Sequence, residues 1–356
     1  MSSKELSQRD KEILKTIVRT FILTGEPVPS STISRLLQYD LSSASIRSIM
    51  AKLEEEGYLT QPHHAAGRIP TDLGYRFYVD SMSRTGPFSK KDADEIHSDL
   101  NRTGGRYPGI FIEASRILSK CSHNIGVVLS PDVSNILFEH IDFMRLGYGR
   151  IMVIFIARHG ILSDRIIEDD EDYSQFELNR ISSYLDNRMK GKTLREVRDE
   201  IVRMMNDDKE AYDSMIRNAA FLAFRYFEGE TGKQDLFLEG TLNLFDKPEF
   251  TDSEKMKALF KAFEEKNRIV KLLNLCLEAE GVKVTIGSES CCPELSECSI
   301  ITSSCMIEEQ PLGVVGIIGP RRMEYRKTIS LVGYLSRLMS TIIQRNHERD
   351  PAAGGI

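Results

Sequence analysis

No apolar run in this chain of 356 residues approaches the roughly 18 residues that a membrane-spanning helix needs. Met1 to Asp10 lack the apolar core of a secretory leader, so the expected compartment is the cytoplasm. No cysteine pair is spaced C-x-x-C, and no histidine neighbours the cluster Cys291, Cys292, Cys298 and Cys305. Structural zinc therefore has no matching ligand pattern, and reduced, mostly buried thiols are expected, with a strained vicinal disulfide at Cys291-Cys292 left open. Neither H-E-x-x-H nor G-x-S-x-G occurs. Gly313-x-x-Gly316-x-x-Gly319 lacks the dinucleotide-loop spacing and sits in an apolar run, so it reads as a strand with glycines for close packing. No catalytic set, metal site or cofactor is expected. A basic excess is missing too: the net charge is −6, which argues against indiscriminate coating of nucleic acid. Over residues 1–84, eleven Lys and Arg face ten Asp and Glu, so the acidity belongs to the remainder.

What is present is concentrated between Leu41 and Asp80. Ser42 or Ser43 can cap a helix whose apolar face is Ile46, Met50 and Leu53, with Ala44, Arg47, Ser48, Ala51 and Lys52 on the other side. Gly57 stops it as a left-handed cap would. Tyr58-Leu59 then starts a strand, a turn follows at Pro62, and a basic, small-residue tip runs through His63, His64, Ala65, Ala66, Gly67 and Arg68. A helix with a small, polar, basic outer face followed by a hairpin is how a winged helix meets DNA: small side chains admit the backbone to the major groove and an arginine reaches paired acceptors on guanine. The candidate DNA-binding residues are Ser43, Ala44, Ser45, Arg47, Ser48, Lys52, His63, His64, Gly67 and Arg68. Arg47 is the candidate for base readout, Ser43, Ala44 and Ser48 for close groove contact, and Arg68 for the phosphate backbone. Glu54-Glu55-Glu56 reads as a solvated helix end facing away from DNA.

Around this stretch the periodicities predict a small helical head and a larger mixed body. A helix over 7–23 is capped by Ser7 and closed by Gly25, and a short second helix is capped by Ser30 or Ser31. A linker follows over 83–91. Helices are expected near 91–100 and 109–121, strands over 125–129, 138–146, 151–157 and 161–168 as an antiparallel meander, and charged helices from about 172 to 227. The acidic run Asp169-Asp170-Glu171-Asp172 reads as an exposed loop. Two further helices, strands over 282–286, 298–307 and 312–318, and a final helix over 325–345 complete the chain. The helical block interrupts two strand-rich regions and so reads as an insertion.

The stretch Ser42 to Asp80, with Gly67-Arg68-Ile69-Pro70-Thr71-Asp72 and Gly74-Tyr75-Arg76-Phe77-Tyr78-Val79-Asp80 as its most specific part, resembles the signature of the heat-inducible transcription repressors, the HrcA family. Pro293-Glu294-Leu295, Gly313-x-x-Gly316-x-Ile318-Gly319-Pro320-x-Arg322-Met323-x-Tyr325 and Leu335-Ser336-Arg337-Leu338 resemble its C-terminal motifs. The resemblance implies an α+β multidomain protein: a winged helix-turn-helix over 1–82, a GAF-like α/β domain over 92–146 and 235–346, an inserted α/β dimerisation domain over 147–234, and a disordered tail over 347–356. It further implies a homodimeric repressor of chaperone operons that binds an inverted-repeat operator, CIRCE, on double-stranded DNA, is kept active by a GroEL-type chaperonin, and is inactivated on heat stress. Two alternatives share parts of this pattern. One is a small-molecule-responsive regulator using the GAF-like domain as sensor; the other is an enzyme with an accessory winged helix, for which no convergent set is found.

Overall fold

The computed structural model describes residues 6–37, 42–63, 66–82, 90–103, 108–131, 137–157, 162–169, 171–206, 214–227, 234–277, 281–290, 292–307 and 310–349. His64, Cys291, nearly all of the expected linker and residues 350–356 lie outside them.

Helix α1 (Gln8–Thr24) begins where the Ser7 hydroxyl accepts from the Asp10 N–H and the Asp10 carboxylate accepts from the Ser7 N–H. This reciprocal cap satisfies two otherwise free donors. Ile13, Leu14, Ile17 and Val18 recur at helical spacing and are buried, and Gly25, in the left-handed region, ends the helix. Helix α2 (Ser30–Leu36) takes Pro29 as its N-cap, so neither serine caps it; both lie inside its first turn. Helix α3 (Ser43–Glu55) is capped by Ser42, whose hydroxyl accepts from the Ser45 N–H, a contact worth about 1 kcal/mol. Ile46, Met50 and Leu53 hold it against α1 and α2. A two-stranded antiparallel ribbon follows, β1 (Leu59–Thr60) with β2 (Ile69–Pro70). The aromatic segment after Pro70 is a helix that the sequence reading does not assign, α4 (Asp72–Asp80), capped by Thr71 and burying Tyr75 and Val79.

Helices α5 (Lys90–Arg102) and α6 (Gly109–Ser122) lead into a five-stranded, wholly antiparallel sheet. Its order is β7 (Leu236–Glu239), β3 (Ile125–Leu129), β10 (Gln310–Pro320), β9 (Cys298–Ile307), β8 (Val282–Ile286). Helices cover both faces, which is why its central strands read as continuous apolar runs. On β3, Ile125, Val127 and Leu129 join a core closed by α10 (Ser253–Glu264) and α11 (Lys266–Asn274). Val128 faces the other way, toward α6 and α12 (Tyr325–Arg349). Gly313, Gly316 and Gly319 all lie within β10, as the strand reading requires. Cys276, Cys292, Cys298 and Cys305 are buried free thiols, and burial pushes those of Cys298 and Cys305 up to about 12. Helix α12 reaches Arg349, three residues into the segment read as a tail.

A second, three-stranded sheet is built from β4 (Phe138–Gly147), β5 (Arg150–Ala157) and β6 (Leu162–Glu168). The single meander expected from 125 to 168 is therefore two sheets: β3 pairs with β10 and β7, not with β4. Strand β4, placed with the first α/β segment by the sequence reading, pairs within this second sheet. It pairs with β5 along its length, and the Phe138 N–H donates to the Lys192 carbonyl at 2.8 Å. The chain leaves and re-enters the central sheet at one point, since the Ser130 N–H donates to the Asp235 carbonyl at 2.9 Å. Helices α7 (Gln175–Met189), α8 (Leu194–Asn206) and α9 (Ser214–Phe227) share an apolar core with one face of this sheet. Asp169, read as part of an exposed loop, is instead buried at the base of the β4–β5 turn, where its N–H donates to the Gly149 carbonyl at 2.7 Å.

His140 on β4 and Asp186 on α7 tie the second sheet to its helices, with Nδ1 2.5 Å from Oδ2. The Asp186 hydrogen bond raises the His140 pKa above its usual value, outweighing partial burial. A raised folded pKa gives stability that is fully present below about 6.5, the unfolded value, and is lost as pH rises through the folded value. The thermal stability of the parent should therefore fall as pH rises through that value, whereas His140→Gln should show a flat profile there. Parallel profiles would exclude the pair as a stabilising element.

Candidate nucleic-acid interface

With Ile46, Met50 and Leu53 committed to the core, helical spacing leaves Ala44, Arg47, Ser48 and Ala51 on the opposite side of α3. Ser43, Ala44, Ser45, Arg47 and Ser48 are all exposed. No ion pair among the described residues engages Arg47. The Ser45 and Ser42 hydroxyls lie 3.0 Å apart at the helix start, beside the unpaired N–H groups of the first turn. The result is a low, hydroxyl-rich ridge carrying one long cation, which suits close approach to a phosphate-lined groove.

Two cations predicted for the same surface are taken inward. Lys52 Nζ sits 2.8 Å from an Asp10 carboxylate oxygen. Burial pushes the Asp10 carboxyl up, but hydrogen bonds from Lys52 and Ser7 outweigh it and hold the group below the usual carboxylate range. Lys52 therefore fastens α3 to the start of α1. Arg68 Nε donates to Glu54 Oε2 at 2.8 Å, so Glu54 is not merely solvated as the acidic run suggested. The Arg68 backbone exchanges two hydrogen bonds of 2.9 Å with Val28, which stitches the return of the ribbon to the turn before α2. Gly67 is part of the same stitch: a Cβ there would fall 2.3 Å from the Val28 carbonyl carbon, so only glycine fits. His63 stays exposed at the tip, where its carbonyl accepts from the Ala66 N–H.

The residues that sequence reasoning missed lie on α4, and they hold the head to the body. Arg76 Nε donates to Glu289 Oε1 at 2.7 Å, and Nη2 donates to the Val284 carbonyl at 2.7 Å and to Glu289. Asp72 accepts from the Ser288 N–H at 2.9 Å and from Arg321 Nη1 at 2.8 Å. The Tyr75 and Tyr325 rings pack at 6.1 Å between centroids, and the Tyr325 hydroxyl is anchored by Ser299 and by the Arg321 carbonyl. Arg322 Nη1 donates to the Ile22 carbonyl at the end of α1. The one available signal was the Asp72, Arg76, Asp80 spacing, which places three charges on one helical stripe.

This junction carries an acid sensitivity. Burial raises both the Asp72 and the Glu289 carboxyls, but hydrogen bonds from Ser288 and Arg321 on one, and from Arg76 on the other, bring both below the usual range. Depressed folded pKa values give stability present above about pH 4 and lost as pH falls through the folded values. Solution scattering should show the head separating from the body in acid. Arg76→Ala should loosen it at neutral pH, since a charged hydrogen bond of this kind is worth about 1–3 kcal/mol. An unchanged profile for both would show that the ion pairs do not hold the junction.

The family model described as HrcA protein C terminal domain matches residues 109–329. The chain is 41% identical over 340 residues to the heat-inducible transcription repressor HrcA of Geobacter sulfurreducens, spanning 96% of this chain and 99% of that one. It is 36% identical over 345 residues to the protein of the same name from Syntrophobacter fumaroxidans, spanning 97% and 99%. A crystal structure described only as that of a hypothetical protein superposes with a TM-score of 0.67 at 22% identity, covering 96% of this chain and all of that one, which bears on the fold alone. On these matches, over nearly its whole length, the chain belongs to the HrcA family of heat-inducible transcription repressors.

Proposed function

We propose that this protein represses heat-shock chaperone operons by binding an inverted-repeat CIRCE operator as a homodimer. The head (α1 to α4 with the β1–β2 ribbon) acts as a winged helix. Helix α3 enters the major groove, Arg47 reads a base edge, and Ser43, Ala44, Ser45 and Ser48 lie close to the backbone. The observation that carries the reading is the outward ridge of α3, which keeps Arg47 free of ion pairs among the described residues while Lys52 and Arg68 brace the module. The five-stranded body is the GAF-like domain, and the inserted unit is the dimerisation domain. Supporting the latter is the open face of the second sheet, where Met144, Met152 and Ile166 stand directly opposite one another across three strands. The α4 junction then sets head orientation, and the dimer sets half-site spacing.

Maintenance by a GroEL-type chaperonin fits the apolar side chains this chain leaves exposed, such as Leu242, Phe245 and Leu275. Heat would divert chaperonin to other unfolded chains and leave this one inactive. Footprinting of the full chain on DNA upstream of chaperone operons, with and without chaperonin, tests the whole reading. Protection of a two-fold repeat, stronger with chaperonin, is expected; no sequence preference under either condition would overturn it.

A further inference from the structure

Where the end of α1 meets the body, a cavity of about 230 Å³ opens between Ile22, the end of α6 and the start of α12. Its lining is lopsided in charge for so acidic a chain. Lys247, Arg322 and Lys327 face it together with His123; Glu324 is the carboxylate in the lining, and Glu249 outside it pairs with Arg322. No carboxylate among the described residues pairs with Lys247 or Lys327. The first turn of the long helix α12 adds backbone N–H groups without helical partners and the positive end of its dipole. Cations gathered at one opening repel each other unless an anion joins them.

We propose that this cavity binds a small phosphate-bearing anion, either inorganic phosphate or a compact phosphate ester. Arg322 is balanced by Glu249, so the two lysines facing Glu324 leave a net positive charge for an anion to complete. Donors on separate elements, the loop carrying Lys247, the turn carrying Arg322 and the first turn of α12, suit a tetrahedral oxyanion better than a planar carboxylate. The volume falls below the roughly 300–1,000 Å³ usual for larger organic ligands. The site also spans the head–body junction. Ile22 belongs to the head, and Arg322, a lining residue, donates to the Ile22 carbonyl at 3.1 Å. An occupant that uses this composite wall favours the docked arrangement of the head, by simple linkage.

The test uses the full chain and follows thermal unfolding and 31P line width with added inorganic phosphate, glycerol 3-phosphate, or succinate and chloride at matched ionic strength. Phosphate or its ester should raise the melting temperature in a saturable way, with line broadening, and whichever binds tighter identifies the source. In Lys247→Ala/Lys327→Ala the apparent Kd should weaken by about tenfold or more, as two charged contacts are lost. The unliganded melting temperature should barely change, because both lysines lack ion-pair partners among the described residues. Equal effects from succinate or chloride would overturn the phosphate assignment, and an unchanged Kd in the double variant would overturn the site.

Discussion

Met152→Glu combined with Ile166→Glu is expected to break the proposed dimer and to lower operator affinity by about 100-fold or more, equivalent to about 2.7 kcal/mol. The two side chains stand directly opposite each other on β5 and β6, and Met144 completes the row on β4. One face of that sheet is committed to the core shared with α7 to α9, through Ile141, Phe143, Val153 and Ile167. The other face has no covering element among the described residues, and Met144 and Ile166 are 43% and 50% exposed. Apolar rows of this kind are stable when a second sheet stacks on them about 10 Å away. Two carboxylates placed in such an interface would each lose several kcal/mol of hydration, yet in the free subunit they face water. The fold should therefore survive while the dimer does not. The penalty on DNA follows because two joined heads see each other at high effective concentration and two separate heads do not. Sedimentation and mobility shifts on the same samples decide: a double variant that still sediments as a dimer and binds operator like the parent would remove this face from the assembly.

Much of the fold was legible from period and punctuation alone. Ser7 and Gly25 bound α1, Gly57 follows α3, and the strands near 125, 151, 282 and 298 start where the apolar runs do. What period could not give was partnership. Strand β3 looks like the first member of the meander that follows it, because short antiparallel strands separated by turns tend to pair in sequence order. Its true neighbours, β10 and β7, come from much later in the chain, and only the contact of Asp235 with Ser130 shows where the chain leaves the central sheet and returns to it. Helix α4 was obscured for a different reason. Its aromatic residues pack against the body through Tyr325, so its pattern is shaped by a partner far away in sequence.

The candidate site divides along the same line. The exposed ridge of α3 follows from helical geometry once the core face is known. Whether a surface cation is free does not, because that depends on which carboxylate folding brings near it. Asp10 on α1 is separated from Lys52 on α3 by the whole of α2, and Glu54 from Arg68 by β1 and the tip, so both pairings are invisible to local pattern. The motif that carries the strongest family likeness, from Gly67 to Asp80, proves to be mostly internal joinery. Gly67 closes on Val28, and Asp72 and Arg76 clamp Ser288, Arg321 and Glu289.

That division sharpens what should happen at Arg47. Arg47→Ala should weaken operator binding by about 1–3 kcal/mol, roughly 5- to 150-fold per site, and relax base preference at one position of each half-site. Binding to a scrambled duplex should fall far less, since that affinity scales with phosphates neutralised and this head, at eleven basic against ten acidic residues, neutralises few. Arg68→Ala is expected to behave otherwise. It removes a brace that keeps Glu54 paired and the ribbon seated on Val28, so it should lower the melting temperature and weaken both duplexes in parallel. The Glu54→Gln variant provides the cross-check: if Arg68 acts through that pair, the losses from the two changes will not add. Should Arg47→Ala reduce operator and scrambled binding by the same factor, Arg47 is a phosphate contact, and base reading must be sought among the serines at the start of α3.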